Sequence, residues 1–480
     1  MKKRIMILSV LLFSLFFLYK CAVNPVTGKK ELMFIPESTE INIGKKVDLG
    51  VKSQYGIYND KQLNQYVSSI GQSIVPFTHR PKLQYHFAVL DSSVVNAFAA
   101  PGGYIYITRG LLALLNSEAE LATVLGHELG HVNARHSAKA MTRSILLNLG
   151  LVIGSALSKE IRKFAPFVSI ASQVLFLKYS RDNEYQADSL GVRYARRAGY
   201  NSGVMINFFK SLRKLEATGG HTLPNFLSTH PLTVKRIDRV KTLLKPDDSK
   251  LAIKQKNYLY KLDNLVYGSD PRQGYAQGGV FYHPVFRFKF NIPTGWKIAN
   301  TPKQVTLSTK KGDAVILLTG EYTDNRVKDY AEKLYSRFEN SVVSYKGYTN
   351  VNGFNAYYMN FIIYNQNNSG QTDATKVYLI SIRKGNYIFS FFAAAKPFNF
   401  SIYKKQFANT IFSFSQLNNP YYINRKPLRI HVVRITRPQN MKELLLSRRI
   451  SQKYWKKILY ANNKTLQTNL KTGQLVKLIY

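Results

Sequence analysis

The spacing of apolar residues predicts helices in the first half of the chain, interrupted by a small group of strands. Residues 63–70 place their apolar side chains on one helical face, whereas residues 85–90 and 104–108 have strand-like patterns. Ser117, followed three residues later by a glutamate, has the pattern of a capping box. A helix is therefore predicted to begin there and to run through residues 123–137.

The second half of the chain has a different pattern. After residue 280, β-branched and aromatic runs alternate with helical patterns near residues 328–338 and 402–411, which predicts an antiparallel sheet with two helices. Segment 258–280 contains turn-forming Gly and Pro residues and is predicted as a linker. The predicted fold class is α+β multidomain, with a mainly helical first domain carrying a small edge sheet, and with domains at residues 22–257, 281–418 and 425–480.

Two apolar segments, Ile145–Leu157 and Phe164–Leu177, follow the predicted helix. Neither reaches the about 20 residues that a membrane-spanning helix needs. We expect a pair of helices that are buried or graze a membrane, with a re-entrant hairpin as the alternative.

The N-terminus predicts export. A basic start and an apolar stretch precede Cys21, the only cysteine, so residues 1–21 resemble a bacterial lipoprotein signal in which the cysteine is lipidated. Lys20 departs from the small residue usual before such a cysteine, which leaves an uncleaved anchor as the alternative. Ala22 favours the outer membrane. The predicted location is the bacterial cell envelope, periplasm-facing and lipid-anchored.

The net charge of +41 indicates a nearby anionic surface, such as peptidoglycan, anionic lipid or lipopolysaccharide. No run has the pattern of a nucleic-acid recognition helix or platform, so nucleic acid is not predicted as a partner. A generally lysine-rich proteome is the other explanation of the charge.

The segment His127-Glu128-Leu129-Gly130-His131 predicts half of a zinc site. On one helix, His127 and His131 project from the same face and offer two ring nitrogens, while Glu128 can act as general base towards a zinc-activated water. Gly126 and Gly130 have no side chains, so another element can approach this helix closely. His136 lies nine residues after His127, near the opposite face of a continuous helix, and is interpreted as a surface or supporting residue.

A later helix offers the missing ligand. Glu184 and Asp188 are one turn apart and share a face. Glu184 is predicted to reach the metal, and Asp188 to accept the far N–H of a ligand histidine. An ordinary solvated helix with two acids is the alternative.

These motifs, with Leu227-Ser228-Thr229-His230-Pro231 and Arg236 downstream, resemble the gluzincin zinc metallopeptidases of the CAAX prenyl protease family. Within that family, they resemble the exported bacterial branch, the β-barrel assembly-enhancing proteases and related lipoproteins. The resemblance covers residues 20–245.

The resemblance implies one zinc ion per chain, held by His127, His131 and Glu184, with Glu128 as base. It further implies that Asp188 and Arg236 support the site, that His230 can occupy the open metal position, and that the strand Tyr104, Ile105 and Tyr106 is the edge on which substrate is laid.

The implied function is that of a zinc-dependent endopeptidase acting on misfolded or misassembled envelope proteins. An assembly chaperone, with proteolysis minor or held off by His230, is the alternative, and a peptidoglycan hydrolase is a third. Residues 281–418 resemble a PsbP-like α/β sandwich, and residues 425–480 resemble a divergent LysM module that would bind peptidoglycan.

Overall fold

The computed structural model describes residues 21–33, 35–150, 179–217, 226, 229–231, 234–366 and 372–480. The signal segment before Cys21 lies outside these residues, as do 151–178, which hold most of the two apolar segments. Within the described ranges, no helix is both long enough and apolar enough to cross a membrane.

The helix-rich character predicted for the first part is confirmed. It opens with two short strands, β1 (Cys21–Val23) and β2 (Lys30–Leu32), which pair with each other. The helices that follow are α1 (Glu37–Tyr55), α2 (Lys61–Ile74), α3 (Arg109–Leu114), α4 (Glu118–Asn133), α5 (His136–Gly150), α6 (Arg181–Arg197), α7 (Met205–Ala217), α8 (Val234–Leu243) and α9 (Gln255–Lys261).

Helix α4 begins as the capping pattern predicts. The Ser117 side chain accepts a hydrogen bond from the Glu120 backbone N–H, and the Glu120 carboxylate accepts one from the Asn116 backbone N–H at 2.6 Å. All sixteen residues of the helix are buried, so the motif that it carries lies in the interior of the domain.

A small sheet lies beside α4, and it corrects one prediction. The strands β3 (His86–Leu90), β4 (Ala97–Ala100) and β5 (Tyr104–Thr108) are ordered β3-β5-β4. Strand β5 pairs in parallel with β3 and antiparallel with β4. The prediction that Tyr104, Ile105 and Tyr106 form the substrate edge is therefore wrong, because both backbone edges of that strand are already paired. The edge strands are β3 and β4.

The second part is sheet-rich, as predicted. A four-stranded sheet contains β7 (Tyr275–Gln277), β8 (Val280–His283), β9 (Phe288–Asn291) and β17 (Ser415–Gln416). A seven-stranded antiparallel sheet has the order β10-β11-β12-β16-β15-β14-β13, with bounds Lys297–Asn300, Gln304–Ser308, Ala314–Tyr322, Tyr387–Ala395, Thr372–Lys384, Phe354–Gln366 and Ser341–Val351.

The two predicted helical patterns of this part correspond to α10 (Val327–Tyr335) and α11 (Pro397–Ile411). One hydrophobic core joins α11, strands β8 and β9 and the large sheet, and a second joins α10 to the large sheet. We call residues 275–416 the inserted domain.

The last segment returns to the helix-rich part. It contains α12 (Pro420–Ile423), β18 (Leu428–Arg434), β19 (Gln439–Asn440), α13 (Met441–Ser447), α14 (Gln452–Ala461), β20 (Asn469–Leu470) and β21 (Leu475–Ile479). Strand β18 pairs with β21 on one side and on the other with β6 (Val266–Tyr267), which lies in the segment predicted as a linker. We call residues 425–480 the C-terminal module.

The C-terminal module shares one hydrophobic core with the helix-rich domain. Ile430, Leu445, Ile458 and Ile479 are buried in the same cluster as Leu125 of α4. Segment 258–280 is therefore part of the fold, because its strand β6 extends the sheet of the module. The proposed domain boundaries remain a prediction.

A buried lysine reinforces this junction. Lys477 on β21 is fully buried, and its Nζ donates hydrogen bonds to the carbonyls of Ala113 and Leu115, each at 2.8 Å. Ala113 lies in the last turn of α3, and Leu115 directly follows that helix on the way to α4. Burial lowers the pKa of Lys477 to about 7, against the opposing effect of Glu120 in the first turn of α4. The end of the chain is thus tied to the start of the helix that carries the His-Glu-x-x-His motif.

Replacing Lys477 with Met should destabilise this junction, because two buried carbonyls lose their donor. We expect a loss of about 2 kcal/mol in the free energy of unfolding, measured by chemical denaturation. Lys471→Met, at an exposed position in the same module, should change it little. Equal stability of the Lys477→Met protein and the wild type would show that the two bonds do not hold the module in place.

Candidate metal centre

The site is built where helices α4 and α6 approach closely. A Cβ atom on Gly126 would lie 3.1 Å from the carbonyl oxygen of Gly191. A Cβ atom on Gly191 would lie 3.0 Å from the backbone nitrogen of His127. A Cβ on Gly130 would lie 3.1 Å from the Cα of Ala187. The expectation that the glycines allow a close neighbour is confirmed, and that neighbour is the helix that carries Glu184 and Asp188.

Four buried side chains turn their donor atoms towards one point. These atoms belong to His127, His131, Glu184 and His230 and all lie within 4.8 Å of one another. His127 Nε2 lies 3.1 Å from His131 Nε2 and 3.3 Å from His230 Nδ1. Glu184 Oε1 lies 3.5 Å from His131 Nε2 and 2.9 Å from His230 Nδ1.

This set of donors fits a zinc ion. With bonds of about 2.0–2.1 Å, a tetrahedral ion places its ligands roughly 3.3 Å apart, which matches these separations. His127 Nε2 has two other ring nitrogens within 3.3 Å, and a single N–H cannot satisfy both. One cation at the centre accounts for all of these contacts together.

Asp188 and Arg236 complete one side of the site. Asp188 Oδ1 lies 3.0 Å from His127 Nδ1, so a proton on Nδ1 leaves Nε2 free for a metal. Burial alone would raise the pKa of Asp188, but Arg236, bound to both of its oxygens at 2.7 Å, and His127 lower it to about 2. Arg236 Nη1 also reaches Glu184 Oε2 at 2.9 Å and the backbone carbonyls of His230 and Pro231.

His136 is a supporting residue and not a surface residue. Helix α4 ends at Asn133, and Arg135 has a φ of +54°, so the chain turns and His136 begins α5 instead of continuing round α4. Its Nδ1 lies 2.9 Å from His131 Nδ1, and its Nε2 lies 2.9 Å from Gln186 Oε1. Burial lowers the pKa of His136 to about 4, which keeps it neutral. It can therefore accept the His131 proton and donate to Gln186, which leaves His131 Nε2 free for a metal.

Glu128 lies beside the donors and not among them. Its side chain is fully buried, and burial raises its pKa while His230 and His127 oppose that effect. Its Oε1 is 3.8 Å from His230 Nε2. The backbone of Ala99 in strand β4 is also near enough to lower the pKa of Glu128. The carboxyl group thus lies beside His230, at the margin of the donor cluster.

Aromatic rings enclose the cluster. Tyr179 stacks on His131 with 4.0 Å between ring centroids, and its hydroxyl lies 3.0 Å from Ser137 Oγ. Phe226 stacks on His230 at 4.7 Å. Neither residue was predicted from the sequence, because neither lies in the motifs on which the prediction was based. A single aromatic residue outside a motif does not indicate a site.

A family model supports the same interpretation. Residues 61–244 match the model described as peptidase family M48. This part of the chain is therefore similar to the peptidase domains of that family. The match includes every predicted ligand, the predicted base and both predicted supporting residues of the site.

Curated relatives point the same way. The chain is 28% identical over 211 residues to the β-barrel assembly-enhancing protease of Escherichia coli (strain K12), a match that covers 41% of this chain and 43% of that protein. It is 30% identical over 218 residues to the mitochondrial metalloendopeptidase OMA1 of Arabidopsis thaliana, covering 42% and 43%. The chain thus spans less than half the length of these two relatives.

Solved structures resemble the chain only weakly. The solution structure of cyanobacterial PsbP from Synechocystis sp. PCC 6803 matches with a TM-score of 0.24 and 14% identity, covering 30% of this chain and 98% of that one. The PsbP-like and LysM-like assignments therefore remain predictions.

The predicted zinc cofactor is confirmed by the family and by the donor cluster, whereas the role of each single residue remains a prediction.

Replacing Glu184 with Ala should remove the metal. Wild-type protein is expected to hold about one zinc ion per chain, and the variant should retain less of it on dialysis, because the set loses its one anionic donor. Asp182→Ala, an exposed acid in the first turn of the same helix, should keep the metal. Metal analysis of the dialysed proteins measures both, and full zinc retention by Glu184→Ala would place the third ligand elsewhere.

Proposed function

We propose that the protein is a zinc-dependent endopeptidase of the bacterial cell envelope. The observation that carries the proposal is a buried set of two histidines and one glutamate on two helices, with Glu128 placed beside it. Family M48 and the names of the relatives support peptide-bond hydrolysis.

Each residue of the site has a separate role in the proposed reaction. His127, His131 and Glu184 hold the metal, which when bound supplies Lewis acidity that polarises a carbonyl and acidifies water. A carboxylate oxygen of Glu128 takes the proton of the attacking water and delivers it to the leaving amide nitrogen. Burial raises the pKa of Glu128, and a higher pKa makes the carboxylate a better proton acceptor for the first of these transfers. Arg236 fixes Glu184 and Asp188 in place.

Strand β4 is the proposed docking edge for substrate. It lies at one side of the small sheet, and its Ala99 backbone lies next to Glu128. A substrate that added a further strand here would be bound through hydrogen bonds to its backbone, so many different sequences could bind. Misfolded or misassembled exported proteins, with extended segments exposed, fit this mode.

The proposed placement is in the periplasm, anchored to the outer membrane through a lipid on Cys21. The basic C-terminal module would face peptidoglycan, anionic lipid or lipopolysaccharide. The name of the Escherichia coli relative, a β-barrel assembly-enhancing protease, supports outer-membrane proteins as the substrate class.

A second candidate function is that of an assembly chaperone with its proteolysis held off. One observation favours it: His230 is fully buried, and its Nδ1 takes part in the donor cluster at 3.3 Å from His127 Nε2. Such a fourth donor would exclude the water or substrate that a catalytic zinc site must admit.

Replacing Glu128 with Gln should lower the rate of cleavage of an unfolded protein about 10²–10⁴-fold, because the amide cannot accept the proton. Zinc content should be unchanged, and Glu216→Gln, at an exposed position of α7, serves as the control. Persistent cleavage would refute the peptidase proposal. Lost cleavage with intact outer-membrane integrity in cells would favour the chaperone.

Replacing His230 with Ala should raise peptidase activity by on the order of tenfold, provided that the histidine occupies the open metal position. The assay is cleavage of the same unfolded substrate at saturating zinc, with His431→Ala in the C-terminal module as control. An unchanged or lower rate would assign His230 a structural role.

A further inference from the structure

A basic cleft of about 530 Å³ lies where the inserted domain meets the C-terminal segments. It is lined by Ala276, Gln277, Tyr421, Arg425, Lys453 and Tyr454. Two of these six side chains are cationic and none is acidic. None belongs to the metal centre, so the cleft is a separate feature of the molecule.

Arg425 is held in one orientation within the cleft. Its guanidinium lies 4.4 Å from the centre of the Tyr275 ring, and its Nη1 donates a hydrogen bond to Gln277 Oε1 at 2.7 Å. The Tyr275 hydroxyl in turn donates to the Tyr422 carbonyl at 3.0 Å. Stacking leaves the remaining guanidinium N–H groups available in a fixed plane, which suits an oxyanion.

The second cation comes from a different element. Lys453 lies in the first turn of α14 and is exposed, with its Nζ 4.9 Å from the Tyr454 ring. The Nζ of Lys457 is 5.9 Å from the same ring. The N-terminal end of this ten-residue helix adds further positive potential to the cleft.

Tyr421 gives the cleft an open aromatic face. Its side chain is 71% exposed. The neighbouring Tyr422 is instead packed, stacked on Tyr282 with 4.1 Å between centroids. An exposed ring next to two cations offers a flat apolar surface for the C–H face of a sugar, with charges placed for its acidic substituent.

We propose that this cleft binds an anionic saccharide. A sugar ring stacks on Tyr421, and its phosphate or carboxylate pairs with Arg425 and Lys453. A simple anion would not need the exposed ring, and a flat lipid surface would not enter a concave site between two domains. The two envelope sources of such a saccharide are the phosphorylated core of lipopolysaccharide and the carboxylated chains of peptidoglycan.

The test is calorimetric titration of the full chain with two soluble probes. One is the delipidated, phosphorylated core oligosaccharide of lipopolysaccharide, and the other is a set of muropeptide chains released from peptidoglycan. One probe should bind, and its identity names the source. The double variant Arg425→Gln/Lys453→Gln should weaken that binding by at least about tenfold.

A matched control variant distinguishes binding at this cleft from non-specific attraction to the positive charge of the protein. Lys310→Gln/Lys311→Gln removes two exposed lysines from the inserted domain and should leave the affinity unchanged. Tyr421→Ala should also weaken binding, but with the salt dependence of the wild type, because it removes no charge.

Four results would overturn the proposal. They are no binding of either probe, equal losses in the two double variants, unchanged affinity of Tyr421→Ala, and equally tight, Tyr421-dependent binding of phosphatidylglycerol vesicles or a single-stranded oligonucleotide. The choice of probes rests on the proposed location in the cell envelope. Peptidase activity enters none of these measurements, so a failure of binding is distinguishable from a failure of the proposed peptidase function.

Discussion

The close contact between α4 and α6 is the constraint on which the site depends. Gly126, Gly130 and Gly191 let the two backbones meet where any side chain would force them apart by several tenths of an ångström. Metal ligation tolerates errors of about that size at most. The glycines therefore set the distance between the histidine pair and Glu184, and they do so without touching the metal.

Charge balance is the second requirement that the contact imposes. Glu184 and Asp188 are both buried, and two unpaired carboxylates in a dry interior would be costly. Arg236 contacts both of them and two backbone carbonyls of the loop that carries His230. The same guanidinium therefore stabilises the ligand, the residue that orients His127, and the position of the candidate fourth donor. A metal ion adds the remaining positive charge.

Helical periodicity was enough to predict much of this site, because its residues repeat at the spacing of one turn. His127, His131, Glu184 and Asp188 could all be placed on faces from the sequence, and the sheet-rich second half could be recognised from its strand patterns. The wrong predictions concern features that depend on how consecutive elements are arranged in space, such as the order of strands in a sheet and the path of the chain after a helix. The prediction that β5 is an edge strand rested on the family resemblance, because strand patterns alone do not show which strand of a sheet is central. A single residue with positive φ, Arg135, returns His136 to the site, and no periodicity continues through such a turn.

The C-terminal module shows why the domain organisation was harder to predict than the site. Its charge and distance along the chain suggested a separate binding unit, yet its apolar residues complete the core behind α3 and α4. Lys477, which in the sequence belongs to a basic tail, is buried against the α3–α4 junction. Strands β6 and β18 are hydrogen-bonded neighbours, so the inserted domain leaves and re-enters the fold at adjacent strands. Both ends of that domain are thereby fixed, and a cleft between it and α14 can keep a defined shape while the peptidase core remains one packed unit.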